Sequence, residues 1–333
     1  MKKRLFSLLL VSALVFTLSG CGEKSLLRES DPVTLNFWHV YGEQSGSPMD
    51  LLVQEFNRTV GQEKGVRVQV TNLSSASKIG GFLKEAQKGG RDAPEMPDLF
   101  TCHISDATAL GSDNLVDWNA RFTAEELSNF VPGFLADGMT EDGTLLLFPI
   151  SKSTQLLMCN GSGFARSLAQ GHVVVSDLYS NTQVMTGDVL SGLGSSAAIL
   201  YYNDTVTYRD GTQEPMDLHV LPMPKTAGAD ALMTQAGVGL CAYKTTDQKA
   251  EAAALFVRWL TESERNLDFV AQTGYMPVRN GAFDAIENYD KFPEPTESYR
   301  QLYAALKIMQ ESYTPLSEPR FEGYYGKVSQ LSS

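Results

Sequence analysis

Cysteine is scarce in this chain: four in 333 residues, at positions 21, 102, 159 and 241, with no CxxC pair. That spacing excludes the common zinc-ligand pattern and offers no disulfide framework, so Cys102, Cys159 and Cys241 are expected to be small buried residues at strand ends. Histidine is as rare. His39, His103, His172 and His219 lie too far apart for an HExxH motif. Cys102-His103 would be half of a metal site only if distant partners converged, and the sequence supplies none. No metal or cofactor is expected. Positive charge is also short, 27 Lys and Arg against 39 Asp and Glu, net −12, which argues against nucleic acid and against adsorption onto anionic lipid. Internal repeats and low-complexity tracts are missing. Beyond residue 18 no apolar run approaches the ~20 residues a membrane-spanning helix needs.

What is present begins with Lys2, Lys3 and Arg4, an apolar stretch from Leu5 to Leu18, and the small-residue ending Leu18-Ser19-Gly20-Cys21. This is a secretory signal over residues 1–20. The ending resembles the lipobox of bacterial lipoproteins, which implies acylation of Cys21 and a polar tether over residues 21–31. An acylated chain would be held at the outer face of the membrane, each buried CH₂ contributing ~0.8 kcal/mol. The mature chain of 313 residues carries net charge −15 and is too long for one comfortable core, so two lobes are expected.

From Val33 the hydrophobic period alternates between two and 3.6. VTLNFWHV reads as a strand; Ser47-Pro48-Met49-Asp50 opens a helix with Met49, Leu52, Val53 and Phe56 on one face. VRVQVTNL is a second strand, Ile79, Phe82, Leu83 and Ala86 mark a second helix, and PDLFTC is a third strand. Thr123 to Glu126 forms a capping box. LLLFPISKSTQLLM (145–158) is extended. Further on, Gln183 to Leu190 suggests a short helix, SSAAILYY, LHVLPM and AGVGLCAY read as strands, and Ala253, Phe256, Val257 and Leu260 stripe the clearest helix. Thr261 to Glu264 starts the next, closed by Gly274, and residues 292–310 give a proline-led helix before an aromatic-rich tail expected to pack. This β-α-β-α order argues for α/β architecture with a mostly parallel sheet.

The wording of these segments resembles family 1 extracellular solute-binding proteins, relatives of maltodextrin-binding protein. FWHVYG, MPDLFTC, FPISKSTQLLMCN and VLPMPK carry the resemblance, and the stretch 246–279 ending in Thr-Gly-Tyr-Met-Pro-Val-Arg is its most specific part. It covers residues 18–160 and 171–328. It implies a two-lobe type II periplasmic-binding-protein fold, with residues 32–148 and 236–273 in the N-terminal lobe and 149–235 and 274–333 in the C-terminal lobe. It also implies a carbohydrate ligand held in the cleft, hinge closure, and ABC permease subunits as partners of a monomer anchored in the membrane. Family members carry a block on the order of 100 residues, a small domain's worth, where this chain has only Gly161 to Gln170. The second lobe is therefore expected to be truncated, with an exposed sheet edge and weakened closure.

Sugar clefts need aromatic faces and several hydrogen-bonding groups. Positions after strand ends single out Trp38, His39, Tyr41 and Glu43, then Thr101 and His103, then Ser195, Ser196, Tyr201 and Tyr202, and Tyr275. Arg279 could meet an anion or a surface carboxylate. A glycerol 3-phosphate type ligand stays open because the helix starting at Ser47-Pro48 could hold a phosphate. Enzyme readings lack context. GLGSSA (192–197) matches G-x-G-x-x-A but should run on into extended chain, and Ser195 lacks a G-x-S-x-G elbow. A carboxylate pair of the glycosidase kind has no sequence spacing to find.

Overall fold

The computed structural model describes residues 26–42, 46–160, 179–225 and 227–317. Cys21, Glu43, the segment Gly161 to Gln170 and the tail from residue 318 lie outside them. The first sheet has the order β10-β3-β1-β2, formed by β1 (Val33–His39), β2 (Val66–Asn72), β3 (Leu99–Cys102) and β10 (Gly239–Ala242). The first three are parallel and β10 runs antiparallel beside β3. Helix α1 (Pro48–Arg58) starts as its sequence dictates: the Ser47 hydroxyl accepts the Asp50 amide and Pro48 occupies the first turn, where no amide is needed. Its buried stripe of Met49, Val53 and Phe56 meets Phe256 and Trp259 of α6 (Asp247–Leu260), with Phe56 edge-on to both rings. Helices α2 (Ala76–Lys88) and α3 (Ile104–Leu110) contribute Ile79, Leu83, Ile104 and Leu110 to a separate apolar cluster with Phe100 and Leu147. Residues on both faces of this sheet are therefore covered. Cys102 and Cys241 are free, buried thiols whose sulfurs lie 3.7 Å apart.

A second sheet has β4 (Gln155–Asn160) between β5 (Ser191–Ser195) and β8 (Leu218–Leu221), antiparallel to both. The expectation of a mostly parallel sheet therefore holds only for the first lobe; an antiparallel neighbour needs no crossover helix, so the hydrophobic period alone does not distinguish the two. A further correction concerns SSAAILYY. Ser196–Tyr201 is a 3₁₀ helix whose start is capped by the Ser195 hydroxyl. With antiparallel pairing around it, there is still no βαβ unit to seat a dinucleotide. Helix α5 (Ser180–Met185) lies beside β5. Helix α8 (Thr296–Ser312) covers one face of the sheet with Leu302, Tyr303 and Leu306, and its Gln301 side chain accepts the Val220 amide. The edge expected to be unprotected is thus partly closed. Strands β6 (Thr205–Thr207) and β7 (Gln213–Pro215) form a hairpin, and β9 (Leu232–Gln235) pairs in parallel with β11 (Thr314–Ser317). No helix among the described residues is long and apolar enough to cross a membrane.

The chain passes between the sheets at three places that touch one another. Lys152 exchanges backbone hydrogen bonds with Met276, and Ser153 does so with Ala236 at 2.9 Å each way. Asn266, fully buried in α7 (Ser263–Thr273), ties two of them: its amide donates to the Ile150 carbonyl and its oxygen accepts the Val278 amide.

Candidate ligand-binding cleft

Residues 151–154 form the middle one of these three crossings, which we call the hinge; Lys152 and Ser153 bridge to the other two, and in this extended segment alternate side chains point to opposite sides. On one side the Ser151 hydroxyl is 3.0 Å from the Tyr41 hydroxyl, and the Ser153 hydroxyl is 2.6 Å from that of Ser195 and 3.3 Å from that of Ser196. Tyr41 stands edge-on to Phe269 and to Tyr275, with centroids 5.1 and 6.2 Å away. Burial first, and then the neighbouring Tyr201 phenol, raises the Tyr275 pKa. Tyr201 itself is 64% exposed. Gly274 caps α7 in the left-handed region, at φ 67°, and a Cβ there would lie 2.9 Å from the Ala197 Cα and 3.0 Å from the Ser196 carbonyl oxygen. Glycine is required on both counts. It lets the third crossing press against the 3₁₀ helix and sets Tyr275 beside Tyr41 and Tyr201.

Five of the sequence-derived candidates, Tyr41, Ser195, Ser196, Tyr201 and Tyr275, are therefore gathered around the hinge, Tyr41 and Ser196 buried within it and Tyr201 exposed. Others have different roles. Trp38 points away from its neighbour His39 and packs edge-on to Phe82 of α2. His39 is fully buried and spoken for: the Tyr41 amide donates to Nδ1, which leaves the proton on Nε2 to be donated to Asp50 at 2.9 Å. Burial lowers its pKa to about 4, against the opposing pull of Asp50. Thr101 is fully buried in β3, with its hydroxyl unpaired, and Tyr202 packs into the core. His103 precedes α3; burial first, then the Lys152 ammonium, lowers its pKa to about 4, with Asp137 opposing. Arg279 lies over the Phe130 ring at 4.5 Å rather than on a surface carboxylate.

The residues that sequence reasoning passed over are Ser151, Lys152, Ser153 and Thr154. All four are buried. The available signal was four consecutive polar residues between LLLFPI and QLLM, in a segment read as uniformly extended. Chemically, this side of the hinge offers aromatic faces and hydroxyl groups. The hydrogen-bond partners of Ser195 are the Ser153 hydroxyl and the Ala197 amide, neither of them a base that could activate a nucleophile. No group of three or more His, Cys, Asp or Glu among the described residues could hold a metal.

The family model of the bacterial extracellular solute-binding proteins matches residues 164–294. The chain has the type II solute-binding-protein fold. Among solved structures it is similar to the cyclic alpha-maltosyl-1,6-maltose binding protein from Arthrobacter globiformis, at 15% identity over 90% of this chain and 91% of that one, with a TM-score of 0.64. UgpB from Mycobacterium tuberculosis, in complex with glycerophosphocholine, gives 16% identity over 90% and 92%, with a TM-score of 0.65. The GacH receptor of Streptomyces glaucescens gives 14% over 89% and 90%, at 0.63. No curated protein sequence matches the chain. At these identities the solved structures establish the two-lobe solute-binding-protein fold alone.

Proposed function

We propose that this chain is the solute-binding receptor of an ABC importer and takes a neutral sugar or oligosaccharide in the cleft between its lobes. The observation that carries this reading is the gathering at the hinge of the Tyr41–Tyr275 ring pair, the exposed Tyr201 and the Ser151, Ser153 and Ser195 hydroxyls. Stacked rings hold the apolar face of a sugar, and each buried hydrogen bond adds ~1 kcal/mol net, so several are needed together. The sugar-binding proteins named among the similar structures support the same class. A phosphorylated ligand is disfavoured at the start of α1, where the Asp50 carboxylate already occupies the first turn and takes hydrogen bonds from His39 and Asn72. In this reading residues 32–148 with 236–273 form one lobe and 149–235 with 274–333 the other. Acylated Cys21 holds the monomer at the outer membrane face, where permease subunits receive the closed form.

Calorimetry of the purified chain against maltooligosaccharides, other neutral glycans and glycerol 3-phosphate tests the proposal. The expected result is saturable binding of a neutral glycan with no product formed. Tyr275→Ala should weaken it by at least about tenfold, or ~1.4 kcal/mol. Product formation would make the chain an enzyme. Heat only with glycerol 3-phosphate would move the ligand class, and no binding to any of these compounds would overturn the receptor reading.

A further inference from the structure

The other side of the hinge strand carries a buried ion pair, with His103 close by. Lys152 points away from Ser151 and Ser153 and makes an ion pair with Asp137, the last residue of α4 (Pro132–Asp137) in the first lobe; both are buried. Stability does not account for such a pair. Burying two charges costs enough that an apolar pair of similar volume is often neutral or better. A carboxylate at a helix C-terminus also faces the unfavourable end of the peptide dipoles.

Its surroundings are under-bonded. Pairing of Ser153 with Ala236 sets Thr154 opposite Gln235 on the second crossing. The Thr154 hydroxyl, the Gln235 side-chain oxygen and the second Asp137 oxygen are all buried without a hydrogen-bond partner. One turn before Asp137, a Cβ on Gly133 would stand 2.8 Å from Cγ of Pro315 in β11 and 3.8 Å from the Gln235 oxygen. Helix α4 therefore rests directly on the second crossing and on a strand that follows α8. Any rotation of the second lobe must slide these groups past one another.

We propose that the Lys152–Asp137 pair is a latch at the hinge, setting how far apart the lobes stand before any ligand binds. The ammonium has three donors, and the acceptors of Asp137, Thr154 and Gln235 are all short of partners. Hinge rotation changes which acceptors Lys152 reaches, so the lobes have discrete positions to choose between instead of a continuous range. The inference rests on the receptor reading for its purpose, but its test needs no ligand.

The experiment is small-angle scattering and amide hydrogen exchange on the ligand-free protein, comparing the parent with Asp137→Asn and with the double variant Lys152→Met/Asp137→Leu. The double variant keeps volume without charge, so it remains informative if Asp137→Asn unfolds by leaving Lys152 uncompensated. The expected result is a shift of the distance distribution to longer separations and exchange of the Ser153 and Ala236 amides at least about threefold faster. Scattering and exchange that superimpose on the parent in a folded variant would overturn the proposal, even with a lowered melting midpoint, because a purely structural pair would move only the latter. A chain that binds no glycan but still opens in these variants would remove the receptor reading and leave the latch standing.

Discussion

The two sheets of this molecule use the same kinds of residue differently. In the first, β1 sends Leu35 and Phe37 to a cluster with Phe56 and Phe256, while the neighbouring β3 sends Phe100 to another with Ile79 and Leu83. In the second, Leu156 and Met158 of β4 are buried on the side covered by α8, but the alternate residue Leu157 lies between Leu193 and Leu221, which are 52% and 38% exposed. A cross-strand row of leucines thus faces outward where a two-sided sheet would carry a helix. The contrast separates two uses of an apolar strand: burial on both faces makes a lobe self-sufficient, and burial on one leaves it dependent on the helices of that face, α8 and α5.

The largest effect expected from this contrast lies at Phe148. Its ring stacks on Phe122 with centroids 4.6 Å apart and meets Phe130 and Trp118 edge-on. Phe148→Ala should cost about 3–5 kcal/mol, the range for emptying a packed aromatic site. Urea unfolding followed by tryptophan fluorescence checks this, because Trp38, Trp118 and Trp259 all lie within the first lobe or on its helices. Circular dichroism should follow a second transition if the lobes unfold separately. A loss under 1 kcal/mol would mean that the first lobe is not the better-packed half.

A smaller, pH-dependent effect distinguishes the lobes through His39. Its pKa falls from the ordinary 6.5 to about 4 in the folded protein, mainly because burial disfavours the charged ring. A depressed folded value means the stability is fully present above pH 6.5 and is lost as pH falls toward 4, where the folded ring finally takes its proton. The lost portion is about 3 kcal/mol by the conversion of pKa units to free energy. His39→Gln removes that titration and should flatten the acid limb of first-lobe stability between pH 6.5 and 4, even if it lowers the neutral-pH value; the His103 contribution remains. An unchanged acid slope would show that His39 is accessible to protons in the native state.

The first lobe was the more legible in sequence, and the reason is locality. The Ser47 and Thr123 caps, the α1 stripe and the Gly274 terminus depend on neighbours within one or two turns, and each is found where the residues put it. Residues of the second sheet take their pairing from remote partners: β4 joins β8 across the whole β5 to β7 segment, and a period of two says nothing about direction. The site divides in the same way. The place of Tyr275 beside Tyr41 follows from the Gly274 terminus of α7, a local feature of the sequence. Trp38 and His39, adjacent on a strand, point to opposite faces, and what each meets there, Phe82 and Asp50, comes from other elements. Lys152 was invisible as a hinge residue because its partner comes from α4, a separate helix.

The smallest effect on stability falls on the outward leucine row. Leu193→Thr and Leu221→Thr remove exposed apolar surface while keeping residues that favour strands, so each should change stability by no more than about 0.5 kcal/mol. Self-association should respond more. An apolar row on an open sheet face draws copies together as concentration rises, and sedimentation velocity on the parent and the double variant over a range of concentrations measures it. The parent is expected to show a concentration-dependent increase in sedimentation coefficient that the double variant lacks. If the variant instead loses more than about 2 kcal/mol, in the range for emptying a buried leucine site, and the parent stays monomeric throughout, then this face is covered in solution. The second sheet would then be buried on both sides like the first, and the difference between the lobes would reduce to strand direction.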